Sequence, residues 1–101
     1  MVVHFSTFPL GKGEAVGKYV ARVLDLIDKS GLKYQVGSMG TALEGEWDEI
    51  LPLLKKCHFA LKKDCPRVYT TIIIDDRKKA KNRLKGKVDD VEKFLKRKLC
   101  R

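Results

Sequence analysis

The 101-residue chain has no apolar run long enough to cross a bilayer; its longest wholly apolar stretches are a few residues. Its first residues, Met1-Val2-Val3-His4-Phe5, have no basic segment followed by a long apolar one, so neither export nor a membrane span is expected. Cysteine is scarce. Cys57, Cys65 and Cys100 form an odd set without C-x-x-C spacing, which argues against a disulfide framework and for a reducing compartment, the cytoplasm. Histidine is limited to His4 and His58, and the adjacent Cys57-His58 cannot grip a metal from one helix face, so no metal centre is expected. Gly11-Lys12-Gly13 lacks the rest of a phosphate loop or dinucleotide fingerprint, and no nucleophile elbow is present. Internal repeats are also missing.

What is there suits one globular domain over residues 1–101: 44% hydrophobic and 35% charged residues are enough for a core and too polar for lipid. The net charge of +9 is uneven. Residues 1–54 carry 5 basic and 7 acidic groups, net −2, whereas residues 55–101 carry 17 basic and 6 acidic, net +11. An anionic partner would meet the C-terminal half.

Hydrophobic periodicity divides the chain into seven elements. Residues 2–8, rich in β-branched and aromatic side chains, read as a strand ending at Pro9-Leu10-Gly11. From about Glu14 to Ser30, Val16, Tyr19, Val20, Val23, Leu24 and Ile27 recur at helical spacing, with Gly31 as the stop. Residues 32–38 and 41–46 suit a hairpin around Met39-Gly40. Residues 47–63 return to helical spacing through Ile50, Leu54, Cys57 and Leu61, and Pro52 predicts a late start or a kink. Residues 67–75 form a strand with no polar side, which implies that both its faces are covered. A charged linker over residues 77–87 leads to a helix over residues 88–99 with a Val88, Val91, Leu95, Leu99 stripe.

The order β, α, β, β, α, β, α is the split βαβ arrangement: an α+β, ferredoxin-like βαββαβ fold with an additional C-terminal helix and a four-stranded antiparallel sheet. In that fold the helices cover one sheet face. The all-apolar last strand then predicts association through the other face, with the C-terminal helix folding over its own sheet as the alternative.

Candidate chemistry concentrates in residues 39–49, where Gly40 and Gly45 permit close backbone approach, Thr41 offers a hydroxyl, four carboxylates gather and Trp47 offers a flat π surface. That set suits a small, flat, nitrogen-rich or cationic heterocycle. An ordinary helix start beside a core Trp fits the same residues. Glu44 and Glu46 share a strand face and could act as acid and base or hold a divalent metal, a weaker reading. The stretch over residues 77–87 has 7 basic residues in 11, so an oligomeric nucleic-acid or acidic-partner module is the rival function. RNA-recognition modules share this strand order but need stacking aromatics on the third strand; here that strand is acidic and non-aromatic, so nucleic acid is not the expected partner.

Met39-Gly40-Thr41 followed by Glu44-Gly45-Glu46-Trp47-Asp48-Glu49, together with Pro9-Leu10-Gly11, Tyr19-Val20-Ala21, Ser30-Gly31-Leu32-Lys33-Tyr34-Gln35, Arg67-Val68, Ile74-Asp75-Asp76-Arg77, Lys87-Val88 and Val91-Glu92, resembles the thiamine-binding protein family, also called UPF0045, almost end to end. The resemblance implies a ferredoxin-like subunit whose sheets stack into homodimers that pair as a homotetramer. It also implies binding of thiamine or its hydroxymethylpyrimidine moiety without turnover, hence no enzyme and no cofactor beyond that ligand. It nominates Ser6, Tyr34, Thr41, Glu44 and Trp47 as the ligand-binding residues. Pro52 and the basic linker depart from the family pattern.

Overall fold

The computed structural model describes residues 1–11, 13, 16–78 and 83–100. Its elements follow the predicted order: β1 (Val2–Leu10), α1 (Val16–Lys29), β2 (Lys33–Val36), β3 (Thr41–Glu44), α2 (Trp47–Lys62), β4 (Arg67–Asp75) and α3 (Arg83–Leu95). The four strands lie in the order β2-β3-β1-β4 and every neighbouring pair is antiparallel. This is the ferredoxin-like α+β arrangement with a third helix.

Alternation along β1 turns Val3, Phe5 and Thr7 to one sheet face, where all three are buried. Two helices cover that face. α1 contributes Tyr19, Val23 and Ile27, spaced by four, and α2 contributes Ile50, Leu54, Cys57 and Leu61. With Leu43 of β3 they form one core, each large aliphatic side chain contributing about 1.5–3 kcal/mol on burial. Gly31 ends α1 with φ of 78°, a backbone state that favours glycine. The hairpin strands are shorter and the loop longer than residues 32–38 and 41–46 suggested: residues 37–40 turn the chain, closed by a 2.8 Å bond from the Gly37 amide to the Gly40 carbonyl.

Pro9 and Pro52 lie inside elements rather than at their ends. β1 does not stop at Phe8 but runs through Pro9 to Leu10, paired with β4 as far as Leu10↔Arg67. β3 faces β1 only up to Phe5↔Thr41, so Pro9 has a strand on one side alone and its missing N–H is tolerated. Nor does Pro52 delay α2, which starts at Trp47, where the Glu49 carboxylate accepts the Glu46 amide at 3.0 Å. Pro52 is exposed, so the Asp48 carbonyl left without its helical donor lies on the water side.

The described residues of the chain do not cover both faces of β4. That strand is the sheet edge, and Tyr69, Ile72, Ile73 and Ile74 are all exposed, Ile73 at 60%. α3 likewise begins at Arg83, five residues before the Val88 predicted from apolar periodicity, so residues 83–87 of the expected linker are helical, while residues 79–82 lie outside the described residues. Arg83, Lys85 and Lys87 are sound helix formers without an apolar period. α3 does not fold across the sheet: Val91, Leu95 and Phe94 are exposed, Phe94 at 89%. Its buried residue is Glu92, whose carboxylate accepts the Leu99 amide at 2.6 Å. Lys87 ties α3 to the end of β4 through Asp75 and holds that carboxyl below its usual value. A lowered carboxyl pKa makes this exposed tie stabilising above the ordinary carboxylate range and lost as pH falls through the lower value.

All three cysteines are free thiols, and burial pushes Cys57 up to about 11. In a thiol-reagent time course at pH 8, exposed Cys100 is therefore expected to react rapidly, and Cys57 and Cys65 only at the rate of unfolding. Rapid loss of all three would contradict this packing.

Candidate functional site

Beyond its pairing with β3 at Phe5↔Thr41, β1 continues beside β4 with its other edge unpaired. The hairpin passes so close that a methyl group on Gly40 would sit 2.6 Å from His4 Cε1 and 2.9 Å from the Phe5 carbonyl oxygen. Beyond that contact the hairpin tip swings away from β1 and leaves a cleft of about 300 Å³. Its walls are residues 5–8 of β1, Val20, Val23 and Leu24 of α1, and residues 36–41 of the hairpin. The size falls at the small end of ligand pockets, which span roughly 300–1,000 Å³.

The described walls carry no ionisable side chain. Their polar side chains are those of Ser6, Thr7, Ser38 and Thr41, together with backbone that β3 no longer pairs. Hydroxyls and peptide groups both donate and accept, so the cleft can match the alternating donors and acceptors of a flat heterocycle while Phe5, Phe8 and the valines flank its ring. Met39, 82% exposed, lies at the rim.

The five residues nominated from sequence fall in three places. Ser6 and Thr41 line the cleft. Tyr34 and Glu44 line a separate groove of about 540 Å³ beneath α3, with Lys33, Leu84, Lys85 and Asp89. Trp47 opens α2, half exposed, and lines none of the described cavities. Thr41 and Glu44 stand at opposite ends of β3, Thr41 beside Phe5 at the free edge of β1 and Glu44 beside Val2 and the start of α3, which separates the cleft from the groove.

Both groove residues already have structural partners. The Glu44 carboxylate accepts the Arg83 amide at 2.6 Å, satisfying an N–H at the start of α3 where negative charge also suits the helix dipole. Tyr34 donates its hydroxyl to Asp28 at 2.6 Å, and that bond raises the phenol above its usual value. Among the described residues, no three His, Cys, Asp or Glu side chains gather as they would around a metal ion. No described helix is long and apolar enough to cross a membrane.

Sequence reasoning missed a hydrogen-bonded chain behind the cleft. Thr7 Oγ1 lies 2.7 Å from Thr70 Oγ1 of β4, and Thr70 Oγ1 lies 2.7 Å from His58 Nδ1 of α2. The signal was present in part: Thr7 shares the inward face of β1 with Val3 and Phe5, an unusual place for a hydroxyl.

An open-faced ferredoxin-like subunit with a hydroxyl-lined cleft at a strand edge is a small-ligand scaffold in form. The thiamine-binding protein family model matches residues 3–92, and the chain belongs to that family. The UPF0045 protein of Methanocaldococcus jannaschii is 40% identical over 88 residues, 87% of this chain and 88% of its own. A crystal structure of that hypothetical protein superposes with a TM-score of 0.82 at 39% identity, covering 89% of this chain and 93% of the other. A candidate thiamine biosynthesis/salvage protein of Thermotoga maritima shares the fold, with a TM-score of 0.79 at 24% identity over 89% of this chain and 96% of its own.

The Glu44 bond gives a direct test of how α3 is seated. Glu44→Ala is expected to cost about 1 kcal/mol, as loss of a helix cap does, and to speed amide exchange at residues 83–87 while leaving β1 and β4 protected. Unchanged exchange in α3 would show that Glu44 does not hold it.

Proposed function

We propose that this chain is a non-enzymatic cytoplasmic binding protein for thiamine or its hydroxymethylpyrimidine moiety, and that the cleft at the free edge of β1 is its ligand site. The observation that carries this reading is the cleft itself: about 300 Å³, apolar walls, several hydroxyls and unpaired strand edge. An aminopyrimidine offers an exocyclic amine and ring nitrogens in a row, which such an edge can pair with much as another strand would. The family's description as thiamine-binding supports the choice of ligand. The described walls hold no carboxylate, imidazole, thiol or amine to act as acid, base or activated nucleophile, which favours holding over turnover. They also hold no negative charge to reward a thiazolium, so the neutral pyrimidine half is the part seated, with any thiazolium directed outward.

In a thermal-shift experiment, hydroxymethylpyrimidine at about 100 times its Kd is expected to stabilise the protein by about 2.7 kcal/mol. Val20→Trp, which fills the cleft from the partly exposed face of α1, should abolish the shift, while Glu44→Gln should keep it. A shift lost in Glu44→Gln and kept in Val20→Trp would move the site to the groove under α3.

The same reading includes self-association through the uncovered sheet, as homodimers pairing into a homotetramer. Tyr69 and Ile73 of β4 stand exposed on the face away from α1 and α2, beside Phe8 of β1, whose ring is 5.7 Å from that of Tyr69. Burying each exposed isoleucine would contribute about 1.5–3 kcal/mol, and a second copy presents the same apolar face. Light scattering after gel filtration should give a multiple of the 11.5 kDa chain mass, and Ile73→Lys should shift it toward the monomer. A wild-type monomer at high concentration would contradict self-association.

A further inference from the structure

The hydrogen-bonded chain from His58 through Thr70 to Thr7 connects α2 to the wall of the cleft, because Thr7, 8% exposed, belongs to both. Each threonine hydroxyl has one proton to donate and lone pairs to accept with. When His58 Nδ1 carries no proton it must accept, and Thr70 spends its only proton there. Thr70 can then only accept from Thr7, so Thr7 has no proton left and can offer a cleft ligand nothing but a lone pair. When Nδ1 carries a proton the constraint lifts: the imidazole donates to Thr70, Thr70 donates to Thr7, and the Thr7 proton is free to be donated to a ligand.

We infer that His58 and Thr70 are positioning residues that set whether the cleft presents Thr7 as an acceptor or as a donor, and so tune the cleft between amino-bearing and oxo-bearing heterocycles. The inference rests on the cleft being the ligand site. Histidine is the side chain suited to such a role, since its neutral form with the proton on Nε2 leaves Nδ1 an acceptor, whereas its charged form makes Nδ1 a donor. The surroundings of His58 leave few competing charges. β4 presents Val68, Thr70 and Ile72 on the face toward α2, and β1 presents Phe5 and Thr7. α1 reaches α2 with Arg22, which is paired with Asp64 at 2.7 Å. Charged neighbours at helical spacing are Lys55 and Lys62 on α2 itself, and Lys62 lies over the Phe59 ring.

The test compares two probes by calorimetry at about pH 8 and about pH 5.5: 4-amino-5-hydroxymethyl-2-methylpyrimidine and its 4-oxo analogue. Wild type is expected to prefer the amino probe at the higher pH, with the amino-to-oxo ratio falling about fivefold on acidification, the worth of one hydrogen bond. Thr70→Val cuts the chain while leaving His58 and Thr7 in place. It should lose that change except for the part due to the amino probe's own protonation, which every variant shares. His58→Gln, whose amide can keep the bond to Thr70 without titrating, should behave like Thr70→Val while retaining affinity, which guards against a variant that fails merely by unfolding. If wild type binds neither probe at either pH, the cleft reading itself falls. If wild type, Thr70→Val and His58→Gln all bind with the same pH response, only the role of His58 and Thr70 is overturned.

Discussion

The site depends on one steric constraint, the close passage of Gly40 across His4 and the Phe5 carbonyl. Because that backbone has no side chain, β3 can enter the sheet hard against β1 at Phe5↔Thr41, with the hairpin tip turned away immediately before it. β1 does not stop there. It continues beside β4 for five more residue pairs, Ser6↔Thr71 to Leu10↔Arg67, so its far half has one edge bonded and one edge free. In most sheets a free edge is a liability to be blunted. Here the edge is roofed by α1 and flanked by the hairpin, which turns unpaired peptide groups into the polar side of a cleft.

Much of this architecture was legible in the sequence, because the apolar positions of α1 and α2 repeat at helical spacing and the residues of β4 are strongly β-branched. The element order, and through it the strand order, followed. What was not legible has physical causes. Pro9 looked like a terminator because a strand is normally bonded on both sides, whereas β1 beyond Phe5 is bonded to β4 alone. The start of α3 was hidden because Arg83, Lys85 and Lys87 favour a helix without marking a buried face.

The residues nominated from sequence do not gather in one place. Ser6 and Thr41 meet at the cleft, but Glu44 and Trp47 were grouped with Thr41 by closeness along the chain, whereas Thr41 and Glu44 stand at opposite ends of β3. The Thr7–Thr70 contact required the β1–β4 register, which sequence alone did not supply. The apolar character of β4 was read correctly, yet it states only that the strand needs cover; the described chain leaves Ile72, Ile73 and Ile74 exposed.

Amide chemical-shift mapping during titration with hydroxymethylpyrimidine tests most directly whether the free edge of β1 and the hairpin tip hold a flat pyrimidine. The largest changes are expected at residues 6–8 and 37–41, with α1 following around Val20 and Leu24. Changes confined to residues 33–34 and 84–89, or none at saturating ligand, would contradict that placement.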